Sequence, residues 1–304
     1  MNDPPHGDRA RPGLDVVAPG PLALVQDLGR PGHASVGVSP SGAADRGALA
    51  LANRLVGNNL AAAGLELTLG GLTVQARSAL IVAVTGAAVE VDVDGRPVGR
   101  NATVPVPAGS VVRIGRPHVG LRAYLAVRGG IDVAPVLGSR SFDVLSAIGP
   151  PPLRPGDRLP IGRAREPLPQ IDLVPVRPPS PATPTVLHWT PGPRTDRLSA
   201  AGLDALSRTE WTVGVDSDRV GVRLDGPALD RPEQPELASE GLVRGAVQVP
   251  PSGRPVIFLA DHPTTGGYPV VAVVDDADTD ALAQVRPGDR VELRPAPVRP
   301  RARG

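Results

Sequence analysis

Residues 153–161, LRPGDRLPI, recur as VRPGDRVEL at 285–293. In each copy a Pro-Gly-Asp turn feeds a strand that alternates apolar and polar residues. Between the copies runs REPLPQIDLVPVRPPSPATPT (165–185), rich in proline and without helical periodicity, which reads as a linker. The simplest architecture is two β-barrel-like halves, 14–163 and 184–294, joined by a proline-rich linker at 164–183, each half closing on the same turn and strand.

The rest of the chain agrees with a mainly β fold. Its 38 prolines and 36 glycines interrupt it every few residues. Between them lie short runs rich in Val and Ile, such as ALIVAV, VVRIG, LRAYLAV, AVQVP, PVIFLA and RVELR, all of strand length. VEVDVDGRPV alternates around Asp94-Gly95, a hairpin signal. Only ADRGALALANRLVG (44–57) and SAAGLDALSRT (199–209) have a helical pattern, the second opening on a Ser N-cap.

Composition excludes several chemistries. The 304 residues contain no cysteine, which removes disulfides, thiolate metal sites and cysteine nucleophiles. They contain no lysine either, so no Schiff base, no P-loop lysine and no covalently attached biotin or lipoyl group is possible on this chain. The 32 basic and 31 acidic residues nearly cancel, giving no global attraction to nucleic acid or anionic lipid. The N-terminus lacks an apolar signal region, and no apolar run is long enough to span a bilayer, so the expected location is the cytoplasm. The five histidines do not fall at metal-ligand spacing, and there is no dinucleotide fingerprint, Walker A motif or nucleophile elbow.

Four stretches could carry chemistry. In VQDLGRPGHASVGVSPSGAADRGAL (25–49), Gln26, Asp27 and Arg30 surround glycines, and Asp45 is expected in the first turn of the following helix. Ser39, Ser41 and the Gly42 amide either shape a capped loop or offer donors to an anion at that helix N-terminus. YLAVRGGID (124–132) and VLGSRS (136–141, followed by Phe142) contain Arg128 and Arg140, which either brace tight turns or pair with a carboxylate or phosphate. In DSDRVGVRLDGPAL (216–229), Arg219 and Arg223 are four apart, the spacing of one face of a strand, either solvated or aimed at an anion.

The fourth stretch is the richest: SEGLVRGAVQVPPSGRPVIFLADHPTTGGYP (239–269). An apolar strand delivers Asp261 and then Thr264, Thr265, Gly266, Gly267 and Tyr268. Paired glycines permit φ > 0 and close backbone approach, and the threonines add hydroxyls. Asp261, Glu240 and Gln248 are the candidate catalytic groups, and 264–268 the candidate binding turn. The alternative is a glycine turn capped by hydroxyls.

In this order the four stretches resemble the allophanate hydrolase subunit 2 family, also called the KipA-like or biotin-dependent carboxyltransferase family, which includes the C subunit of 5-oxoprolinase. The similarity runs from Gly13 to Leu293. It implies two cyclophilin-like β-barrel halves, a KipI-like companion subunit and a small-molecule substrate. In one branch the pair joins a barrel-type third subunit and hydrolyses 5-oxoproline to glutamate using ATP. In another it forms the carboxyltransferase of urea carboxylase, with carboxybiotin carried on a separate domain. In a third it regulates a histidine kinase without catalysis. One departure is visible: the family usually has Arg and Gln after the aspartate of the last motif, where this chain has His262 and Pro263. Because the complete machinery implied is spread over several chains, this polypeptide is expected to be inactive alone, with ATP used through the complex.

Overall fold

The computed structural model describes residues 12–171, 173–176, 182–232 and 237–297. They form two compact units, one of 12–32 with 40–176 and one of 33–39 with 182–297.

The first unit consists of two antiparallel sheets. One has six strands in the spatial order Arg158–Pro160, Gly13–Ala18, Leu72–Ala76, Val111–Ile114, Val91–Val93 and Arg96–Val98. The other has five, in the order Leu22–Gln26, Gly64–Thr68, Val119–Val127, Leu80–Ala88 and Val104–Val106. Their facing side chains share one core, with Leu14, Val16 and Val74 from the first sheet against Leu65, Leu67, Val82 and Leu125 from the second. The helix Arg46–Leu55 covers the outer face of the five-stranded sheet. That explains the unbroken apolar run at 79–84. Val82 and Val84 point to the inter-sheet core, while Ala83 packs against Ala52 and Leu55 of the helix, so the strand is buried on both faces. Similarly Leu125 and Val127 enter the core, and Tyr124 and Ala126 meet the helix side. The VEVDVDGRPV hairpin forms as expected, with Asp94 and Gly95 at φ 52° and 77°, the left-handed pair of a tight two-residue turn.

The second unit is a closed barrel in which the strands follow the order Thr185–Pro191, Val270–Val274, Ala246–Gln248, Val256–Phe258, Gly221–Asp225, Glu210–Val213 and Arg290–Pro295. Parallel pairing of Thr185 with Val291 through Trp189 with Pro295 closes the ring. Leu187, Trp211, Leu224, Val247, Ile257, Val271 and Leu293 fill it. Among the described residues, strand pairing closes a ring in this unit and leaves the first as two sheets, with three-residue edge strands at 96–98, 104–106 and 158–160 and a five-residue one at 22–26. The helix Ala200–Arg208 begins at Ser199, whose side chain accepts the Gly202 N–H. A further short helix, Asp276–Leu282, has a sequence too polar and too brief to signal itself. The described residues of the proline-rich segment up to 176 lie along the first unit: Leu173 bridges Ala102, Val174 N–H donates to Asn101 O at 2.9 Å, and Arg128 reaches Glu166 O at 2.6 Å.

The two repeated turns share one hydrogen-bond pattern. The Asp157 carboxylate accepts the Arg154 N–H at 2.7 Å, and the Asp289 carboxylate accepts the Arg286 N–H at 2.8 Å. Gly156 and Gly288 stand at φ 90° and 88°. Their N–H groups donate to Val16 O and Val213 O, and those valines return N–H bonds to Asp157 O and Asp289 O. No atom lies within 4 Å of a Cβ added at either glycine, so substitution there tests backbone conformation alone. Gly156→Ala and Gly288→Ala are each expected to cost about 1 kcal/mol in urea denaturation. A cost at one turn and none at the other would contradict their equivalence.

Candidate functional site

The 239–269 stretch folds back on itself within the second unit. Glu240–Gly241 pairs with Thr265–Gly266 in a two-stranded ladder, Glu240 opposite Gly266. The chain between them forms the barrel strands 246–248 and 256–258 and then the segment ending at Asp261. Gln248 is buried and its amide donates to Tyr268 O at 2.8 Å. A Cβ on Gly266 would lie 2.8 Å from Gln248 Nε2 and 2.9 Å from Leu242 Cδ1. A side chain at 266 would displace the ends of the Gln248 and Leu242 side chains. The expectation that Gly266 and Gly267 adopt φ > 0 is not met: neither is among the positive-φ glycines, because 265–266 is an extended strand. Thr264 contributes its carbonyl to Leu242 N–H at 3.0 Å, while Thr265, Gly267 and Tyr268 are exposed.

Asp261 is fully buried and faces Arg219, itself 2% exposed. The guanidinium Nε lies 2.8 Å from Oδ2 and Nη2 lies 3.2 Å from Oδ1, a two-pronged pair. The backbone completes it, Asp261 N–H donating to Arg219 O at 3.1 Å. Arg219 therefore does not share a strand face with Arg223. It precedes the strand 221–225 and turns inward, whereas Arg223 is exposed. Next to Asp261, His262 is 4% exposed, and its Nδ1 lies 2.8 Å from Pro263 O. A carbonyl can only accept, so Nδ1 carries a proton. The Phe258 ring packs edge-on at 6.4 Å.

Glu240 is held by Arg194, a residue that no sequence motif singles out. Arg194 Nε lies 2.9 and 3.0 Å from the two carboxylate oxygens, and Nη2 also bonds Oε1. The hydrogen bonds from Arg194 hold the Glu240 carboxyl below the usual carboxylate range, against a smaller opposing effect of desolvation. A lowered folded-state pKa gives stability that is present at neutral pH and lost as pH falls through that lowered value. The difference in melting temperature between wild type and Glu240→Gln is therefore expected at neutral pH and to shrink on strong acidification. A difference that stays constant down the acid limb would argue against this ion pair.

In the first unit the residues around the helix N-terminus are satisfied internally. Asp45 is the N-cap itself, accepting the Ala48 N–H at 2.8 Å, one position outside the first turn where it was expected. The buried Glu66 carboxylate accepts the Ala44 N–H and the Tyr124 hydroxyl, both at 2.9 Å, and Tyr124 Oη accepts the Asp45 N–H at 2.8 Å. Arg122 Nε stands 3.5 Å from Glu66. Burial first, then the charges of Glu66 and Asp45, push the Tyr124 phenol well above its usual range, so it keeps its proton and donates. The anion sought at this helix start is thus Glu66 of the same chain. Ser41, at φ 53°, is buried and donates to Phe142 O at 3.4 Å. Gly42 has no room for a Cβ against the 28–29 backbone. Ser39 is buried, and its Oγ has no hydrogen-bond partner among the described residues.

Asp27 organises the remaining motif. Its carboxylate accepts from the Gly29 N–H at 2.8 Å, the Arg140 N–H at 2.6 Å, and the hydroxyls of Ser139 and Ser141 at 2.5 and 2.6 Å. Arg30, 1% exposed, bonds Ser141 O, and the Gln26 amide donates to Phe142 O at 2.8 Å. Together they bind the 25–30 loop to the GSRS turn. Among the described residues no group of three or more His, Asp or Glu is placed to hold a metal ion, and no helix is long and apolar enough to cross a membrane.

Residues 36–295 match the family described as carboxyltransferase domain, subdomain A and B, and the chain belongs to it. It is 40% identical over 289 residues to the 5-oxoprolinase C subunit of Escherichia coli, covering 92% of this chain and 90% of that protein. The crystal structure of TTHA0988 superposes with a TM-score of 0.84 at 37% identity, over 94% of this chain and 56% of that one. The urea amidolyase of K. lactis superposes with a TM-score of 0.85 at 30% identity, over 94% of this chain and 19% of that one. The chain thus spans about half of the first solved chain, a fifth of the second, and nearly the whole of the bacterial protein. The mainly β fold is common to these neighbours.

Proposed function

We propose that this chain is the C-type subunit of an ATP-dependent 5-oxoprolinase, acting with a KipI-like partner and a barrel-type third subunit. The reaction opens the lactam of 5-oxoproline with water to give glutamate, coupled to ATP hydrolysis to ADP and phosphate. The observation that carries this reading is the near full-length similarity to the bacterial 5-oxoprolinase component, 40% identical over 90% of that protein. The candidate groups that meet substrate in this reading are the exposed Thr265 and Tyr268 hydroxyls of the 264–268 turn, with the His262 imidazole beside them. Asp261 and Glu240, each tied to an arginine, are positioning residues, Asp261 at the entry to that turn and Glu240 opposite its middle at Gly266. Gln248 holds its end through Tyr268 O.

The second reading, a urea-type carboxyltransferase, is favoured by the overlap with the urea amidolyase of K. lactis. With no lysine, this chain would receive carboxybiotin from another chain and never carry it. Deleting the gene in its host separates the two. The oxoprolinase reading expects cellular 5-oxoproline to accumulate several-fold. Unchanged 5-oxoproline together with loss of bicarbonate-dependent urea breakdown would replace it with the carboxylase reading.

A further inference from the structure

The Gly129–Asp132 turn of the first unit borders a cavity of about 730 Å³. The apolar part of its lining comes from Ala62, Ala63, Ile131 and Ile161, and the charged part from Asp132, Arg140, Arg163 and Arg165. Ala164, between the last two arginines, lines a separate cavity, so Arg163 and Arg165 project to the same side of their segment.

The fold fixes these segments to one another. Ile131 N–H donates to Ala63 O at 2.9 Å, Asp132 N–H to Pro160 O at 2.8 Å, and Gly162 N–H to Gly130 O at 3.0 Å. Gly129 stands at φ 98°, and a Cβ there would lie 2.2 Å from Gly162 O, so only glycine lets the turn lie against the segment that carries the two arginines. Arg140 is held to the end of the turn, its Nε donating to Val133 O and its Nη2 to Asp132 Oδ1, both at 2.7 Å. Those two bonds leave Nη1 without a partner among the described residues. Arg163 and Arg165 are exposed and have no side-chain partner among the described residues. Exposed arginine is commonplace by itself. Here three guanidinium groups line one cavity with a single carboxylate, an excess of two positive charges. That charge sits in two places, on Arg140 beside the turn and on the 163–165 segment.

We propose that this cavity binds a small dicarboxylate, one carboxylate on the Arg163 and Arg165 guanidinium groups, the other on Arg140, and a short aliphatic spine against Ala62, Ala63, Ile131 and Ile161. A planar guanidinium donates two parallel hydrogen bonds to a carboxylate. Two separated cationic places suit two anionic ends joined by a spacer, whereas a single compact anion meets only one of them. A dianion also balances the excess of two charges, and a partly apolar lining of this size suits a ligand with a non-polar body. The inference goes beyond the oxoprolinase reading and does not rest on it, because its test is direct binding to this chain.

Calorimetric titration of the full-length chain with succinate, propionate, sulfate and glutamate tests it. Succinate is expected to bind with a Kd below about 1 mM. Propionate, with one carboxylate, and sulfate, with its charge in one place, are each expected to bind at least about tenfold more weakly. Glutamate, whose ammonium group enters a cavity already in positive excess, is expected to bind more weakly than succinate. The double variant Arg163→Gln/Arg165→Gln leaves the described contacts of the fold intact and is expected to weaken succinate about 100-fold. Arg113→Gln/Arg116→Gln, which removes two exposed positive charges elsewhere in the same unit, is expected to leave it unchanged. No succinate binding below about 1 mM, equal binding of sulfate or propionate, or tighter binding of glutamate would overturn the proposal. So would an equal loss of affinity in the two double variants, which would reduce the effect to net charge.

Discussion

Arg219→Met is expected to destabilise the barrel by about 3–5 kcal/mol in chemical denaturation, the cost of leaving one member of a buried ion pair without its partner. Arg219 and Asp261 are 2% and 0% exposed, with both carboxylate oxygens within 3.2 Å of the guanidinium. Replacing both, as Arg219→Met/Asp261→Leu, removes both charges and is expected to regain most of the loss. Additive single losses, with no recovery in the double variant, would show that the pair is not the source. This changes what Asp261→Asn can reveal. From sequence that substitution keeps size and hydrogen bonding and is expected to spare folding. In the structure it leaves the Arg219 charge facing a neutral amide, so a folding defect accompanies any loss of turnover. His262→Gln, which removes the imidazole and leaves both members of the ion pair in place, is the second probe of turnover at this turn.

Asp27→Ala should cost at least about 3 kcal/mol, because it strips the acceptor from two buried hydroxyls and two backbone N–H groups at once. Asp27→Asn recovers only part of this, since its amide presents donors toward groups that already donate. Urea denaturation followed by far-ultraviolet dichroism reads both values. A loss below about 1 kcal/mol for Asp27→Ala would mean that water or neighbours replace the carboxylate, and that the 25–30 loop and the 138–141 turn are not joined through it.

Much of the fold was legible in the chain because local chemistry and tertiary environment agreed. The Pro-Gly-Asp repeats require φ > 0 at glycine and an acceptor at aspartate, and the structure has both. The Asp94-Gly95 hairpin and the Ser199 cap are equally local. The site was less legible, because its pairings are long-range. Nothing near Asp261 in sequence announces Arg219, 42 residues away, and Arg194 meets Glu240 across 46 residues. The four-residue spacing of Arg219 and Arg223 suggested a shared face only on the assumption that both lay in one strand, and the strand begins at Gly221. The paired glycines 266–267 suggested a left-handed turn, whereas Gly266 lies in an extended strand, packed against the ends of the Gln248 and Leu242 side chains. Glu66 was missed because a lone glutamate in an apolar strand carries no signal until the helix start is placed over it.

The proposed function makes this chain one working part of a multi-subunit oxoprolinase. The most direct measurement is glutamate release from 5-oxoproline, with and without ATP, by the purified chain alone and by the chain reconstituted with its KipI-like and barrel-type partners. The account predicts ATP-dependent glutamate formation by the assembly and none above background by the chain alone. Robust ATP-dependent turnover by the isolated chain, or an inactive assembly in which all three subunits are folded and associated, would contradict it.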